Sequence, residues 1–274
     1  MDDMWYKIPW RVFCIGKLGA AFCNLYQNKL GAQFTCHVLD NPYELKPFYD
    51  SEVYHEEHWM LIAEYDQEIW NKYLVNDEIE KFLQNTTLRF IMTHPVNNVL
   101  SPIERQFVQL MWNEPPANFD PDFPHTIILA MPNSSLRVSL EAKSSAIYDM
   151  IASVYLPGLV SQDYLGLVGP GECKNIYGLV YKAHCASCEQ MVQTTKVLAE
   201  HIIKDIPTES ITCVRVMIFS DREDTLERLA GIGYVLEDAF NEKDIVWSQH
   251  NVSESECGMT VVVYRELADK CVTR

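Results

Sequence analysis

The sequence predicts an α/β protein: a Rossmann-like domain on a mostly parallel sheet, joined by a long central helix to a smaller α+β domain with a mixed sheet. Three observations carry this. Short apolar runs alternate with helical patterns through the first half, the arrangement of parallel βαβ units. Near the middle of the 274-residue chain lies a helical run of about twenty residues, roughly 30 Å long and enough to cross a small domain. Beyond it the order of elements changes and strands follow one another at the end. The corresponding division is a nucleotide-binding-type domain at 1–134, a connecting helix at 135–156 and an α+β domain at 157–274.

The first unit is a β-rich run at 11–15 that meets Gly16-Lys17-Leu18-Gly19. A helix is expected from Ala21 to Lys29, ended by Gly31, and a second strand at 33–40 closes on Asp40. Glycines at such a junction let backbone N–H groups approach an anion at a helix N-terminus. A plain structural βαβ unit has the same pattern, and Gly16 and Gly19 lack a third glycine. A polar connector with Pro42 and Pro47 follows, then a strand at 59–63 that runs into Glu64-Tyr65-Asp66-Gln67-Glu68. A short helix at 77–83, a strand at 88–92 ending in Thr93-His94-Pro95, a helix at 103–112 and a proline-rich loop lead to the strand at 126–131.

That strand ends in Pro132-Asn133-Ser134-Ser135, with Ser134 or Ser135 as the expected N-cap of the central helix. Leu136, Leu140, Ile147, Met150, Ile151 and Val154 form one apolar stripe along it. Pro157-Gly158 stops it. Strands are then expected at 177–182, 211–219, 244–249 and 258–264. The helices of this part fall at 187–204 and at 226–240, the second interrupted by Gly231 and Gly233.

Composition narrows the function classes. With 22 Lys and Arg against 38 Asp and Glu, the net charge is −16. That balance disfavours nucleic acid and anionic lipid as partners. No apolar run is long enough for a membrane span, and the first residues lack a signal-peptide pattern. Nine cysteines, several inside apolar runs, suit buried thiols in a reducing cytoplasm better than a disulfide framework. Cys185-Ala186-Ser187-Cys188 has the Cys-x-x-Cys spacing but no second pair at ligand distance in sequence, so no metal is assigned. The acidic tract 52–57, with His55 inside it and His58 just after it, reads as solvated surface. His94, His125 and His184 could each serve as a general acid. His94 beside Pro95 reads as a turn residue with no nucleophile to pair with.

Over about residues 11–266 the order and spacing of these elements resemble the tubulin/FtsZ superfamily of cell-division filament proteins. The first strand, Gly16, Gly19, Asn24 and Asp40 are similar to that family's opening strand, glycine run, helix-borne Asn and second strand. Ile128-Leu129-Ala130-Met131-Pro132-Asn133 and the central helix resemble its strand, Pro-Asn and core helix. Pro157-Gly158-Leu159-Val160-Ser161-Gln162-Asp163 is similar to the loop that a filament neighbour pushes into bound GTP. The resemblance implies vestigial nucleotide-binding positions at Gly16, Lys17, Gly19, Asn24, Asp40 and Asn133.

The departures are chemical. Where the family has Gly-Gly-Gly-Thr-Gly-Thr-Gly after its third strand, this chain has Glu64-Tyr65-Asp66-Gln67-Glu68. Carboxylates there face a polyanion; two unit charges about 4 Å apart at an effective dielectric near 20 repel by roughly 4 kcal/mol. Lys17 offsets this only in part. Of the family's two catalytic acidic residues, the first corresponds to Asp163, the only acidic loop position retained, and the second to Gly166. The positions that would contact the base fall near Leu136 and Leu140.

The leading expectation is therefore a structural or interaction protein of FtsZ-like fold that has lost GTP binding and hydrolysis. It would have no cofactor, no metal and a cytoplasmic setting, and would act through protein partners or self-association as a monomer or weak dimer. One alternative is a divergent, filament-forming GTPase that binds GTP or GDP. A second is a Rossmann-type dinucleotide enzyme using Gly16, Gly19 and Asp40.

Overall fold

A computed structural model describes residues 9–41, 44, 48, 58–66, 70, 86–113, 126–132, 139–155, 167, 176–221, 226–241, 243–252 and 257–266. The chain divides into two compact units, Met1–Tyr148 and Asp149–Arg274.

In the first unit, β1 (Trp10–Ile15) feeds α1 (Gly16–Tyr26) and then β2 (Phe34–Leu39). β3 (His58–Glu64), β4 (Leu88–Thr93), α2 (Pro102–Asn113) and β5 (Thr126–Ala130) follow. The strands lie in the order β2-β1-β3-β4-β5, and every adjacent pair is parallel. β4 and β5 are buried at every position, as an all-parallel sheet covered on both faces requires. This explains why their sequences read as continuous apolar runs. Arg89 is the exception inside β4, and its guanidinium is used: Nη1 donates to the Met111 carbonyl at 2.8 Å. A cation thus meets one of the last carbonyls of α2.

The helix α1 differs from the expectation. It starts at Gly16 directly on the end of β1 rather than at Ala21, and ends at Tyr26 rather than Lys29. Gly16 has φ +70°, a conformation that suits glycine, and it turns the chain from strand to helix. Gly19 is needed for a different reason. A Cβ there would sit 2.3 Å from the Cys14 carbonyl carbon, so the glycine lets the helix lie against the strand that precedes it.

The central helix α3 (Leu140–Tyr155) also begins later than expected. Ser139 is not helical, and its Oγ accepts the Ala142 N–H at 3.2 Å. Ser139 is thus the N-cap of the helix, in place of Ser134 or Ser135, which lie outside the described residues. At sixteen residues, α3 is about 24 Å long. The boundary between the two units falls within it. On the first-unit side Tyr148 stacks on Tyr26 of α1, ring centroids 4.4 Å apart.

The second unit contains β6 (Ile176–His184), α4 (Met191–Asp205), β7 (Cys213–Ser220), α5 (Leu226–Ala239), β8 (Asp244–Asn251) and β9 (Gly258–Glu266). The strand order is β6-β9-β7-β8. β9 runs antiparallel to both β6 and β7, while β7 and β8 are parallel, the expected mixed sheet. α5 is continuous through Gly231 and Gly233. A Cβ at Gly231 would lie 3.4 Å from Val192 of α4, so that glycine allows a close helix pair rather than a break. Asp149, on the second-unit part of α3, accepts a 2.6 Å hydrogen bond from Thr260 of β9 and pairs with Lys182 of β6. Burial pushes this carboxyl up from its ordinary value, against the pull of Lys182 and Thr260.

Candidate functional site

Parallel register sets the ends of the first unit's strands in one row. Ile15 stands beside Leu39, Cys14 beside Ile62, Glu64 beside Met92 and Thr93 beside Ala130. Gly16, Asp40, Glu64 and His94 therefore collect at the carboxyl edge of the sheet, where ligands of open α/β folds bind.

The sequence-predicted positions are distributed unevenly along that edge. Gly16 opens α1, and Lys17 beside it is exposed. Gly19 is buried against Cys14 and faces the strand. Asn24, exposed on α1, lies eight residues beyond Gly16, about 12 Å along the axis, so it belongs to no cradle that Gly16 forms. Asp40 is exposed, and its backbone N–H donates to Glu44 Oε2 at 3.3 Å. Asn133, Asp163 and Gly166 lie outside the described residues, as do the helix expected at 77–83, the tract 52–57 and His125.

The carboxylate at the centre of the edge is Glu64, the last residue of β3. It pairs with Lys143 of α3 and accepts from His94 Nε2 at 2.9 Å. Glu64 and Lys143 are largely shielded, with side chains 20% and 12% exposed, whereas His94 is 45% exposed. Burial by itself would raise the Glu64 carboxyl. The hydrogen bonds from His94 and Lys143 and their charges outweigh it and hold the group below its usual value. The cation that meets Glu64 is thus Lys143, a residue that sequence reasoning had not singled out. His94 also has a carboxylate partner, which its place beside Pro95 did not indicate.

His94 is held by a capping box. Ser101 precedes Pro102 at the start of α2, and Glu104 stands three residues on. Ser101 Oγ accepts the Glu104 N–H at 3.3 Å, and Glu104 Oε2 accepts the Ser101 N–H at 3.0 Å. Both bonds satisfy donors that a helix start leaves open. The other Glu104 oxygen accepts the His94 backbone N–H at 2.9 Å, which fixes the imidazole's origin. The Ser-x-x-Glu spacing was readable in sequence, although its use to hold His94 was not.

Two aromatic residues beyond Glu64 are fixed against α2. Tyr65 and Trp70 are buried and pack on Phe107 of α2, with centroids 4.9 and 5.0 Å away. Two backbone donors here are occupied internally: Tyr65 N–H reaches Met92 O at 2.7 Å and Trp70 N–H reaches Asp66 O at 2.8 Å. The Trp70 indole N–H donates to Glu64 O at 3.1 Å. Asp66 itself is exposed. Among the described residues, no group of three or more His, Cys, Asp or Glu could hold a metal ion. Nor, among them, is any helix long and apolar enough to cross a membrane.

No family model matches this sequence, and no curated protein matches it. Its architecture is nevertheless that of a known class: the chain has the tubulin/FtsZ-like fold. An empty FtsZ dimer from M. jannaschii aligns over 94% of this chain and 88% of its own, at 10% identity and a TM-score of 0.58. CetZ from Methanosaeta thermophila aligns over 95% and 87%, at 10% identity and a TM-score of 0.55. TubZ of Bacillus thuringiensis serovar israelensis, solved as a GTPγS-form protofilament, aligns over 94% and 88%, at 11% identity and a TM-score of 0.52. At these identities the likeness concerns the fold.

Proposed function

We propose that this protein is a tubulin/FtsZ-like structural or interaction protein that has given up GTP binding and hydrolysis. It would work through protein contacts in cytoskeletal assembly or cell division in the cytoplasm. The observation that supports this reading is the Glu64–Lys143–His94 tie at the carboxyl edge of the sheet. A carboxylate stands there, and the cation beside it, Lys143, is already paired with it. Tyr65 and Trp70 pack on Phe107 of α2, and their N–H groups are bonded to Met92 O and Asp66 O, so neither is offered to a phosphate.

Self-association is part of the proposal, because similar folds were solved as a dimer and as a protofilament. A head-to-tail contact without nucleotide at its seam would be weakened, giving a monomer or weak dimer. The net charge of −16 weighs against nucleic acid as a partner. A division into residues 1–134, 135–156 and 157–274 belongs to the same reading.

A filament-forming GTPase is the second reading. It is favoured by the GTPγS form of the TubZ protofilament and by Gly16, which still opens a helix at the sheet edge. Calorimetric titration with GTP and GDP in the presence of Mg²⁺, up to millimolar nucleotide, separates the two. The first reading expects no saturable heat and sedimentation unchanged by nucleotide. Saturable binding in the micromolar range would overturn it.

A further inference from the structure

The Cys-x-x-Cys pair of the second unit meets a third cysteine across the sheet. β6 and β9 are antiparallel, with His184 opposite Gly258 as their terminal pair. The Cys185 N–H donates to Cys257 O at 3.0 Å and extends this pairing one step further. Gly258 permits the close approach, since a Cβ there would stand 2.5 Å from the Ala183 carbonyl oxygen. The chain then enters a 3-10 turn at Cys188–Gln190, which leads into α4. This turn returns Cys188 to Cys257, and the two sulfurs lie 2.6 Å apart. That is about half an ångström beyond a covalent S–S bond of ~2.05 Å.

We propose that Cys188 and Cys257 are a reversible disulfide site, which staples the start of α4 to the start of β9. The staple needs little rearrangement, because backbone pairing and the 3-10 turn already hold both sulfurs in place. Burial, and then the hydrogen bond with Cys188, push the Cys257 thiol up to about 12. Cys257 is therefore a poor first nucleophile at neutral pH. Exchange begins at Cys188, which is 4% exposed against 1% for Cys257.

With a small-molecule disulfide as oxidant, the Cys188 thiolate displaces one of its sulfurs and releases a thiol, leaving a mixed disulfide. Cys257 then loses its proton and attacks Cys188 Sγ, and the second small thiol departs. Two protein thiols have given up two electrons and two protons, and the oxidant has become two thiols. Cys185 is the competing thiol, since its backbone is bonded to Cys257 and it is also buried.

The test is to incubate the folded full chain with glutathione disulfide or with dithiothreitol and map the products by mass. Oxidation should remove about 2 Da from the intact mass. It should also join tryptic peptide 183–196 to peptide 244–265, with fragmentation placing the bond on Cys188. Cys185→Ser should keep the link and Cys188→Ser should abolish it. The oxidised chain should melt about 5 °C or more above the reduced one. Absence of the linked peptide from the folded, oxidant-treated chain would overturn the proposal. A bond that fragmentation places on Cys185 would do the same, and because this is read on the wild type it decides even if Cys188→Ser does not fold.

Discussion

Replacing Glu64 with Gln tests the charge tie directly, because the side chain keeps its shape and loses its charge. Two polar contacts are affected: Lys143 Nζ, on a side chain 12% exposed, and His94 Nε2 at 2.9 Å. A hydrogen bond to a charged group is worth about 1.5–3 kcal/mol, and an unpaired buried charge adds its own cost. Glu64 retains some exposure, which lowers the figure, so the expected loss at pH 7 is about 2 kcal/mol. The loss should depend on pH. His94 and Lys143 hold the Glu64 carboxyl below its ordinary value of 4.5. A carboxyl depressed by folding contributes its full stability above the unfolded-state value and loses it as pH falls through the folded-state value. The gap between wild type and variant should therefore be full at pH 7 and narrow progressively below about pH 4.5. Urea unfolding at a series of pH values, with slopes checked for constancy, measures it. A gap under about 0.5 kcal/mol at pH 7 would refute the reasoning, because an exposed pair typically contributes about 0.2–1 kcal/mol. So would a gap that stays the same at low pH.

Two glycine substitutions should have opposite signs. Gly19→Ala places a methyl 2.3 Å from backbone carbon of Cys14, which forces α1 off β1; a loss above about 3 kcal/mol or an insoluble product is expected. Gly233→Ala meets nothing within 4 Å in the middle of α5, so chemical denaturation should show a gain of about 0.5–1 kcal/mol; a loss would mean that the outer side of α5 is covered. Ser101→Ala removes one arm of the capping box and should cost about 1 kcal/mol. It should also increase amide hydrogen exchange at His94, whose N–H is held by Glu104; unchanged exchange there would show that the Glu104 carboxylate holds its position without Ser101.

Most of the element order was readable because the inner strands of the first unit, β3, β4 and β5, are largely apolar runs and the helices have a 3.6-residue period. Sequence reasoning erred at boundaries controlled by packing. Gly16 and Gly19 look like a loop because glycine is a poor helix former. Gly16 instead makes the turn into α1, and Gly19 is helical because α1 must lie against Cys14 and no residue with a Cβ would fit at position 19. Gly231 looked like a helix break for the same reason, yet it allows α5 to approach Val192 of α4. Ser139, rather than an earlier serine, caps α3, since the cap is chosen by where the helix begins.

The chemistry of the edge divides along the same line. From sequence alone follow the run Glu64-Tyr65-Asp66 at the end of an apolar strand, the acidic balance and the Ser101–Glu104 capping spacing. These are properties of residue types at fixed short separations, which local sterics and charge decide. The partners of Glu64 are decided only by the tertiary structure. Lys143 lies 79 residues further on, and strand order, register and the packing of α3 bring the two together. The contact between Cys188 and Cys257 spans 69 residues and depends on the antiparallel register of β6 and β9. Such contacts leave no periodic trace in the chain, because their geometry comes from the closure of the sheet rather than from the neighbours of either residue.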